Sequence, residues 1–397
     1  MRNQVKASAA LFSVILVILT GFGCKEPPNR HLYTAEVDSI AHKWVPDKRE
    51  GICIVTLYLN IDEVVAKGRT TIPEAKNEII AFLRSKKVKL SDSIALIPDT
   101  TIVKEPWGLI DVSVGNIRLN PDHDMEMTSQ AVMGTPVKIL AEDNGWYHIQ
   151  TPDSYIGWID GDAVTTMKTA FYSEWKRSAR IIFLGKTGDI IVAPDNKEVV
   201  SDIVAGAILK TLGREKGFVH VLLPDGRSGY LPEKECREFQ EWAAETRPEA
   251  DKILKSAKSL MGTPYLWGGT SVKGLDCSGF VKTVYFLNGI ILSRDASLQV
   301  RRGMELSDHR NINNLKQGDL LFFGWNKGPG LRPTHVGMYI GNTEFIHESG
   351  MVKINSLDST RKNFSRFRRD SFLAARRIIG IDAGQGMQRV ALHPWYF

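Results

Sequence analysis

The chain has 397 residues, of which 43% are hydrophobic and 24% are charged. These fractions are typical of globular protein, and the length predicts two to four domains instead of one. The formal net charge of +6 is mild and suits an anionic membrane or wall surface. The basic run at 361–369 is the nearest candidate for a nucleic-acid contact. We interpret it as a solvated face, so no nucleic-acid partner is expected.

An export signal is predicted at residues 1–24. Arg2 and Lys6 precede an apolar run at 9–19 that is too short to span a bilayer. The following GFGC resembles a bacterial lipoprotein cleavage site, although Gly21 stands where such sites usually have Leu. We expect Cys24 to be lipidated and to hold the exported chain on an envelope membrane, in the periplasm or at the cell surface. An ordinary secretory signal is the alternative.

Residues 25–105 are predicted to form a small α+β domain. An apolar run at 52–60 predicts a strand, and Pro73 stands early in a predicted helix at 73–86. The spacing of Ala75, Ile79, Ile80 and Leu83 gives this helix one apolar face. No chemistry is assigned to this domain.

An internal repeat follows. Residues 134–164 and 206–236 align without gaps at an offset of 72 (206 minus 134), and each copy predicts short strands separated by Gly and Pro-Asp turns. Both copies resemble bacterial SH3-like domains, which implies two small β-barrels at 106–166 and 167–240. We interpret the repeated His148 and His220 as half-buried strand residues. The segment 237–250 is predicted to be a connector into a helix at 251–261.

A cysteine is predicted at the start of the next helix. Apolar residues at helical spacing predict a helix at 278–288, and Asp276 is a favourable N-cap residue. Cys277 then lies in the first turn, where the helix dipole favours an anion. A cysteine paired with histidine at a helix start can have its pKa lowered from about 8.5 to about 3–4. We therefore expect an activated thiolate.

Two histidines are predicted on a hairpin downstream. Alternation predicts a strand at 334–340, a turn at 341–342 and a return strand at 344–348. This register places His347 beside Gly337 and diagonal to His335. A thiol, a base and a group that orients the base are the parts that nucleophilic cysteine catalysis needs.

Four motifs carry a family resemblance: TPYLWGG at 263–269, GLDCSGF at 274–280, GDLLFF at 318–323 and HVGMYIG at 335–341. Together they resemble the NlpC-type cell-wall peptidases, a papain-like family. The resemblance covers about 250–378 and implies a papain-like α+β domain at 241–380, followed by a tail at 381–397. It further implies that Cys277 is the nucleophile, His335 the base and His347 its orienting group. No metal or cofactor is expected.

The resemblance also suggests a substrate site. Tyr265 would stand beside the oxyanion, and Asp276 and Ser278 would shape the site. Residues 112–118 (VSVGNIR) with Glu126 look like the first SH3-like domain of γ-D-glutamyl-L-diamino acid endopeptidases, the dipeptidyl-peptidase VI type. In that subgroup the SH3-like domain caps the cleft, and an acid and a tyrosine hold the amino group of an N-terminal L-Ala.

The matching residues here are Glu126 and Tyr155. Asp295, in the RDAS loop at 294–297, would complete the ammonium pocket; Ala296 stands where the subgroup often has Ser.

We therefore expect a multidomain α+β cysteine peptidase. Its expected substrates are murein stem peptides with a free N-terminal L-Ala, cut between γ-D-Glu and meso-diaminopimelate or Lys. Two alternatives stay open. One is an endopeptidase that cuts intact peptidoglycan, with the SH3-like pair as anchors. The other is a non-catalytic protein that binds muropeptides.

Overall fold

A computed structural model describes residues 33–60, 63–325, 330–381 and 387–397. The predicted signal segment and Cys24 lie outside the described residues. The described chain forms a three-stranded sheet, two seven-stranded sheets and a six-stranded sheet, with helices packed against them. The predicted multidomain α+β class is confirmed. None of the described helices has the length and apolarity to cross a membrane.

The N-terminal unit is a small sheet covered by two helices. β1 and β2 form an antiparallel hairpin, and α2 then crosses over so that β3 lies parallel to β2. The predicted apolar face of α2 packs into the core beside Val37 and Ala66. The elements are α1 (Thr34–Trp44), β1 (Cys53–Asn60), β2 (Glu63–Thr70), α2 (Pro73–Ser85) and β3 (Lys89–Leu96). The predicted strand and helix are confirmed, whereas α1 and the parallel strand were not predicted.

Two seven-stranded sheets follow, and the repeat is structural. Three successive strands begin at 136, 146 and 156 in the first unit and at 208, 218 and 228 in the second, which keeps the offset of 72 (208 minus 136). His148 stacks on Trp158 at 4.6 Å between ring centroids, and His220 stacks on Tyr230 at 4.4 Å. Both histidines are half-buried on strands, as predicted.

The first unit contains β4 (Trp107–Ile110), β5 (Val114–Arg118), β6 (Met127–Val132), β7 (Pro136–Asp143), β8 (Trp146–Gln150), β9 (Ile156–Asp160) and β10 (Val164–Met167). Helix α3 (Thr169–Arg177) joins it to the second unit. The second unit contains β11 (Arg180–Phe183), β12 (Thr187–Ala193), β13 (Asn196–Val204), β14 (Ile208–Glu215), β15 (Phe218–Leu222), β16 (Ser228–Pro232) and β17 (Cys236–Glu238).

The predicted connector at 237–250 is not a plain linker. It contains the end of β17, which pairs with β11, and helix α4 (Phe239–Glu245). Phe239 and Trp242 are buried, so the segment adds to the core beside the second SH3-like unit. Burial of two aromatic side chains outweighs the polar composition on which the prediction rested.

The last unit packs a helix against a six-stranded sheet of order β21-β26-β22-β23-β24-β25. Helix α6 buries Phe280, Val281 and Val284 in the core of the unit, and this packing sets Cys277 close to β23. The elements are α5 (Ala250–Ser259), β18 (Thr270–Ser271), β19 (Gly274–Leu275), α6 (Cys277–Phe286), β20 (Ile290–Leu292), α7 (Ala296–Gln299), β21 (Met304–Glu305), β22 (Leu320–Gly324), β23 (Pro333–Gly341), β24 (Glu344–Glu348), β25 (Val352–Ser356), α8 (Arg366–Asp370), β26 (Phe372–Arg377) and β27 (Met387–Arg389).

The described part of the C-terminal tail is packed. β27 pairs with β20 of the last unit. Tyr396 is 2% exposed, and its carbonyl accepts from Nη2 of the buried Arg180 at 2.9 Å. The tail therefore joins the peptidase-like unit to the second SH3-like unit.

Candidate active site

Asp276 builds the helix start that carries Cys277. Its carboxylate caps α6 by accepting the backbone N–H of Gly279 at 2.7 Å, and it also accepts the N–H of Gly268 at 3.1 Å. The backbone N–H of Val336, on β23, donates to the Cys277 sulfur. The predicted cap and helix start are confirmed. The Asp276 carboxylate thus holds both the start of α6 and the loop at Gly268.

β23 and β24 form the predicted hairpin. Met338 pairs with Ile346, so Gly337 lies opposite His347. A Cβ atom at position 337 would lie 3.0 Å from the Cβ of His347. Because Gly337 has no side chain, the His347 ring can lie beside it and contact His335. The predicted register is confirmed.

The two histidine rings belong to a directed chain of hydrogen bonds. Nε2 of His335 lies 2.7 Å from Nδ1 of His347, and Nε2 of His347 lies 2.8 Å from Oδ1 of Asn355. The Asn355 amide nitrogen donates to the carbonyl of Asn363 at 2.9 Å, so its oxygen faces His347 and accepts. His347 then carries its proton on Nε2, and its Nδ1 accepts from Nε2 of His335. Nδ1 of His335 is left as an unprotonated base.

Asn355 was missed by the sequence analysis. Its position on β25, the strand next to β24, was the available signal, because a polar side chain in a strand of a buried sheet needs a partner.

Burial keeps the thiol and both imidazoles neutral. Burial and the charge of Asp276 raise the pKa of Cys277 to about 11. Burial, with the charge of Arg368, lowers the pKa of His335 well below its usual value, and burial lowers that of His347 to about 4. Both directions oppose the expected resting thiolate, because burial disfavours a charged sulfur more than the helix start favours it. The site can instead pass the thiol proton to a neutral base as the sulfur attacks.

Four of the five basic residues at 361–369 are exposed, and Arg368 is the exception. Arg368 is half-buried, and its guanidinium lies 5.6 Å from the ring centroid of Phe323. Its charge acts on both Cys277 and His335. The interpretation of the whole run as a solvated face is wrong here, since α8 turns this side chain inwards.

Cys277 opens onto a cleft of about 850 Å³. His335 and His347 are buried, at 6% and 1% exposure, and are absent from the cleft lining. The predicted substrate-binding residues all line the cleft: Glu126, Tyr155, Tyr265, Asp276, Ser278 and Asp295.

The first SH3-like unit forms part of the cleft wall, through Glu126, Thr128 and Tyr155. The Glu126 carboxylate accepts a hydrogen bond from Nε1 of Trp267 at 2.8 Å, which joins the two units across the cleft. Behind this contact, the N–H of Thr270 donates to the Gln130 side chain at 3.0 Å. Burial raises the pKa of Tyr155, so its hydroxyl stays protonated at neutral pH.

A buried arginine holds the residues around Cys277. Arg294 is 1% exposed, and its Nη1 donates to Asp276 at 3.1 Å and to the Ser278 hydroxyl at 3.0 Å. Asp276 and Ser278 therefore have structural partners as well as a place on the cleft. Burial raises the pKa of Tyr265 to about 12, with smaller contributions from the nearby Cys277 and Asp276, so this side chain is an O–H donor at neutral pH.

Asp295 already has a cation beside it. Nη1 of Arg49 donates to Oδ2 of Asp295 at 2.6 Å and to the Ser297 hydroxyl at 3.2 Å. Arg49 belongs to the N-terminal unit, to which the sequence analysis assigned no chemistry. Arg49 and Asp295 are 246 positions apart in the chain, so no local motif could have predicted this contact.

Two regions of the chain match known protein families. Residues 262–369 match the NlpC/P60 family, and residues 117–164 match the bacterial dipeptidyl-peptidase Sh3 domain. Residues 262–369 are an NlpC/P60 domain. The predicted family resemblance is confirmed, and the chain is a hydrolase of the cysteine peptidase type.

Relatives of this chain align over much of their own length. Dipeptidyl-peptidase 6 of Lysinibacillus sphaericus is 29% identical over 260 residues, which cover 63% of this chain and 91% of that protein. Gamma-D-glutamyl-L-lysine dipeptidyl-peptidase of Bacillus cereus is 28% identical over 230 residues, covering 56% and 67% respectively. A crystal structure of an NlpC/P60 family protein from Bacillus cereus has a TM-score of 0.58 and 24% identity, covering 68% of this chain and 99% of that one. That likeness shows a shared fold.

The neutral thiol gives a testable pH dependence. Because the pKa of Cys277 is raised to about 11, its thiolate accumulates only as the pH rises towards that value. The rate at which iodoacetamide alkylates Cys277 should therefore keep rising from pH 7 to pH 10, by about tenfold per pH unit. Mass spectrometry of the labelled peptides measures this rate, with the Cys53 and Cys236 peptides as internal references. A rate that is already constant from pH 6 to pH 8 would contradict a neutral resting thiol.

Proposed function

We propose that this chain hydrolyses the bond between γ-D-Glu and the following diamino acid in murein stem peptides that have a free N-terminal L-Ala. The observation that carries the proposal is the cleft in which Cys277 shares the lining with Glu126 and Tyr155 of the first SH3-like unit, with Glu126 hydrogen-bonded to Trp267. A cleft that places a carboxylate and a tyrosine in the same lining as the thiol suits a peptide with a free amino group close to the bond that is cut. The names of the dipeptidyl-peptidase relatives support the same substrate class.

In the proposed reaction, Nδ1 of His335 accepts the proton of Cys277 as the sulfur attacks the γ-carbonyl carbon. The carbonyl π electrons move to oxygen, which the Tyr265 hydroxyl and the backbone N–H of Cys277 stabilise. The C–N bond then breaks, and the protonated His335 gives its proton to the leaving amine. His347 orients His335 throughout and is itself held by Asn355.

Water completes the cycle. It attacks the thioester while His335 accepts one of its protons. The second tetrahedral intermediate collapses to release the γ-carboxyl group of the dipeptide and returns the proton to the Cys277 sulfur. The peptide substrate, this water and the side chains named above balance these steps.

Replacement of Cys277 tests the proposal directly. Wild-type protein should convert L-Ala-γ-D-Glu-L-Lys to L-Ala-γ-D-Glu and lysine, and Cys277→Ala should lower kcat by at least about a thousandfold. The melting temperature should change little, because the variant loses one sulfur and keeps the buried network. Chromatography of the products measures the rate, and Cys236→Ala, remote from the cleft, is the matched control. Wild-type turnover by Cys277→Ala would refute the mechanism, and equal hydrolysis of intact sacculi would favour the wall-cutting alternative.

The second prediction concerns Glu126, which we propose to bind the ammonium group of L-Ala. Glu126 is exposed, so solvent screens its charge. Glu126→Gln should lower kcat/KM for L-Ala-γ-D-Glu-L-Lys by about two- to fivefold and leave that for the N-acetylated peptide unchanged. Asp124→Asn, an exposed carboxylate in the same loop, is the control and should change neither value. Equal losses on both peptides would show that Glu126 does not bind the ammonium group.

We also propose that the protein acts outside the cytoplasm and is anchored through lipid on Cys24. The apolar run at 9–19 followed by GFGC supports this proposal. Mass spectrometry of the native N-terminus should find Cys24 as the first residue with fatty acyl groups attached. Cleavage at another residue, with an unmodified Cys24, would leave a secreted enzyme without a lipid anchor.

A further inference from the structure

The N-terminal unit forms a wall of the catalytic cleft. Residues 45, 48, 49 and 51–54 line the cleft together with Arg69. The segment 47–50 is fixed to both neighbouring units. The N–H of Ile156, in the first SH3-like unit, donates to the carbonyl of Arg49 at 2.8 Å. The Glu50 carboxylate accepts from the Arg302 guanidinium at 2.7 and 2.6 Å.

The Glu50 contact is well protected from water. Arg302 is 8% exposed and also donates to the Ser293 hydroxyl, which in turn donates to Glu50. A buried, multiply hydrogen-bonded ion pair holds its geometry better than an exposed one. The segment therefore presents Arg49 to the cleft from a fixed backbone.

Most donors of the Arg49 guanidinium are used by carboxylates. Nε and Nη2 donate to Asp47 at 2.8 and 2.7 Å, and Nη1 donates to Asp295 and to the Ser297 hydroxyl. These hydrogen bonds, with Asp47 first among them, raise the pKa of Arg49, so the side chain is a permanent cation. With its donors engaged, Arg49 is not built to bind an anionic substrate group. Its effect on the cleft is the charge that it places beside Asp295.

We propose that Arg49 is a specificity-determining residue of the cleft, whose guanidinium occupies the position beside Asp295 that a substrate ammonium group would otherwise hold. The proposal rests on the proposed function and refines it. Recognition of the free amino end then falls on Glu126 and Tyr155, and Asp295 serves to anchor the N-terminal unit. The chain then discriminates only modestly between a peptide with a free N-terminus and one with a blocked N-terminus. The reason is that the charge of Asp295, which is less exposed than Glu126, is already neutralised by Arg49.

A ratio of rates tests this. Discrimination is measured as kcat/KM for L-Ala-γ-D-Glu-L-Lys divided by kcat/KM for its N-acetyl derivative. Arg49→Met keeps an unbranched apolar stem and removes the charge, so Oδ2 of Asp295 becomes available to the substrate ammonium group, while Arg294 still lies 4.0 Å from Oδ1. The ratio should rise by about tenfold, since an opposite charge in contact stabilises an ion strongly. Arg49→Lys, which keeps the charge, should raise it much less.

Two controls separate this effect from a structural one. Arg301→Met removes a neighbouring cation that lies 3.9 Å from Asp47 and does not touch Asp295, so the ratio should not change. Asp295→Asn should lower the ratio little in the wild type, and it should cancel the gain in the Arg49→Met background. Such a non-additive cycle is the signature of direct coupling between the two residues.

An unchanged or lower ratio in a folded Arg49→Met protein overturns the proposal. If Arg49→Met does not fold, Arg49→Gln is measured in its place. If the wild type cleaves neither peptide, the proposed function has failed and binding decides the inference. Calorimetry should then show that Arg49→Met increases the affinity for L-Ala-γ-D-Glu relative to its N-acetyl form by about tenfold, and equal affinities would overturn the inference.

Discussion

The buried ion pair between Asp276 and Arg294 is the interaction on which the site depends. Asp276 caps α6 and holds the Gly268 loop, while Nε of Arg294 donates to the Ser129 hydroxyl of the first SH3-like unit at 3.1 Å. A charge buried without its partner costs about 3–5 kcal/mol, so neither residue can be lost alone. The position of Cys277 is thus tied to a helix, a loop and a neighbouring unit through one pair of side chains.

The resting chemistry of the site follows from how deeply this arrangement is buried. Cys277 lines the cleft but is only 8% exposed, and the two imidazoles are buried beside it, so the neutral forms of all three groups are favoured. Arg368 adds a positive charge that further disfavours an imidazolium on His335. The orientation of His335 and His347 is set by neutral hydrogen bonds that end at the Asn355 amide. No carboxylate takes part in this chain of hydrogen bonds.

The cleft is assembled by three parts of the chain that are far apart in sequence. The NlpC/P60 domain supplies Cys277, the first SH3-like unit supplies Glu126 and Tyr155, and the N-terminal unit supplies Arg49. Polar contacts such as the exposed Glu126–Trp267 hydrogen bond join these parts, and Val114 and Val132 of the first SH3-like unit also pack against the core of the last unit.

Short-range patterns determined much of this protein in advance. Alternation in 334–348 gave the hairpin and its register, helical spacing gave α6 with its Asp276 cap, and the repeat gave two similar sheets, because each of these depends on residues that are close in the chain. The tertiary structure alone decided the pKa of Cys277, the partner of Asp295, the inward turn of Arg368 and the place of Asn355. Burial and long-range ion pairs depend on which distant segments of the chain come into contact. A local sequence pattern does not contain that information.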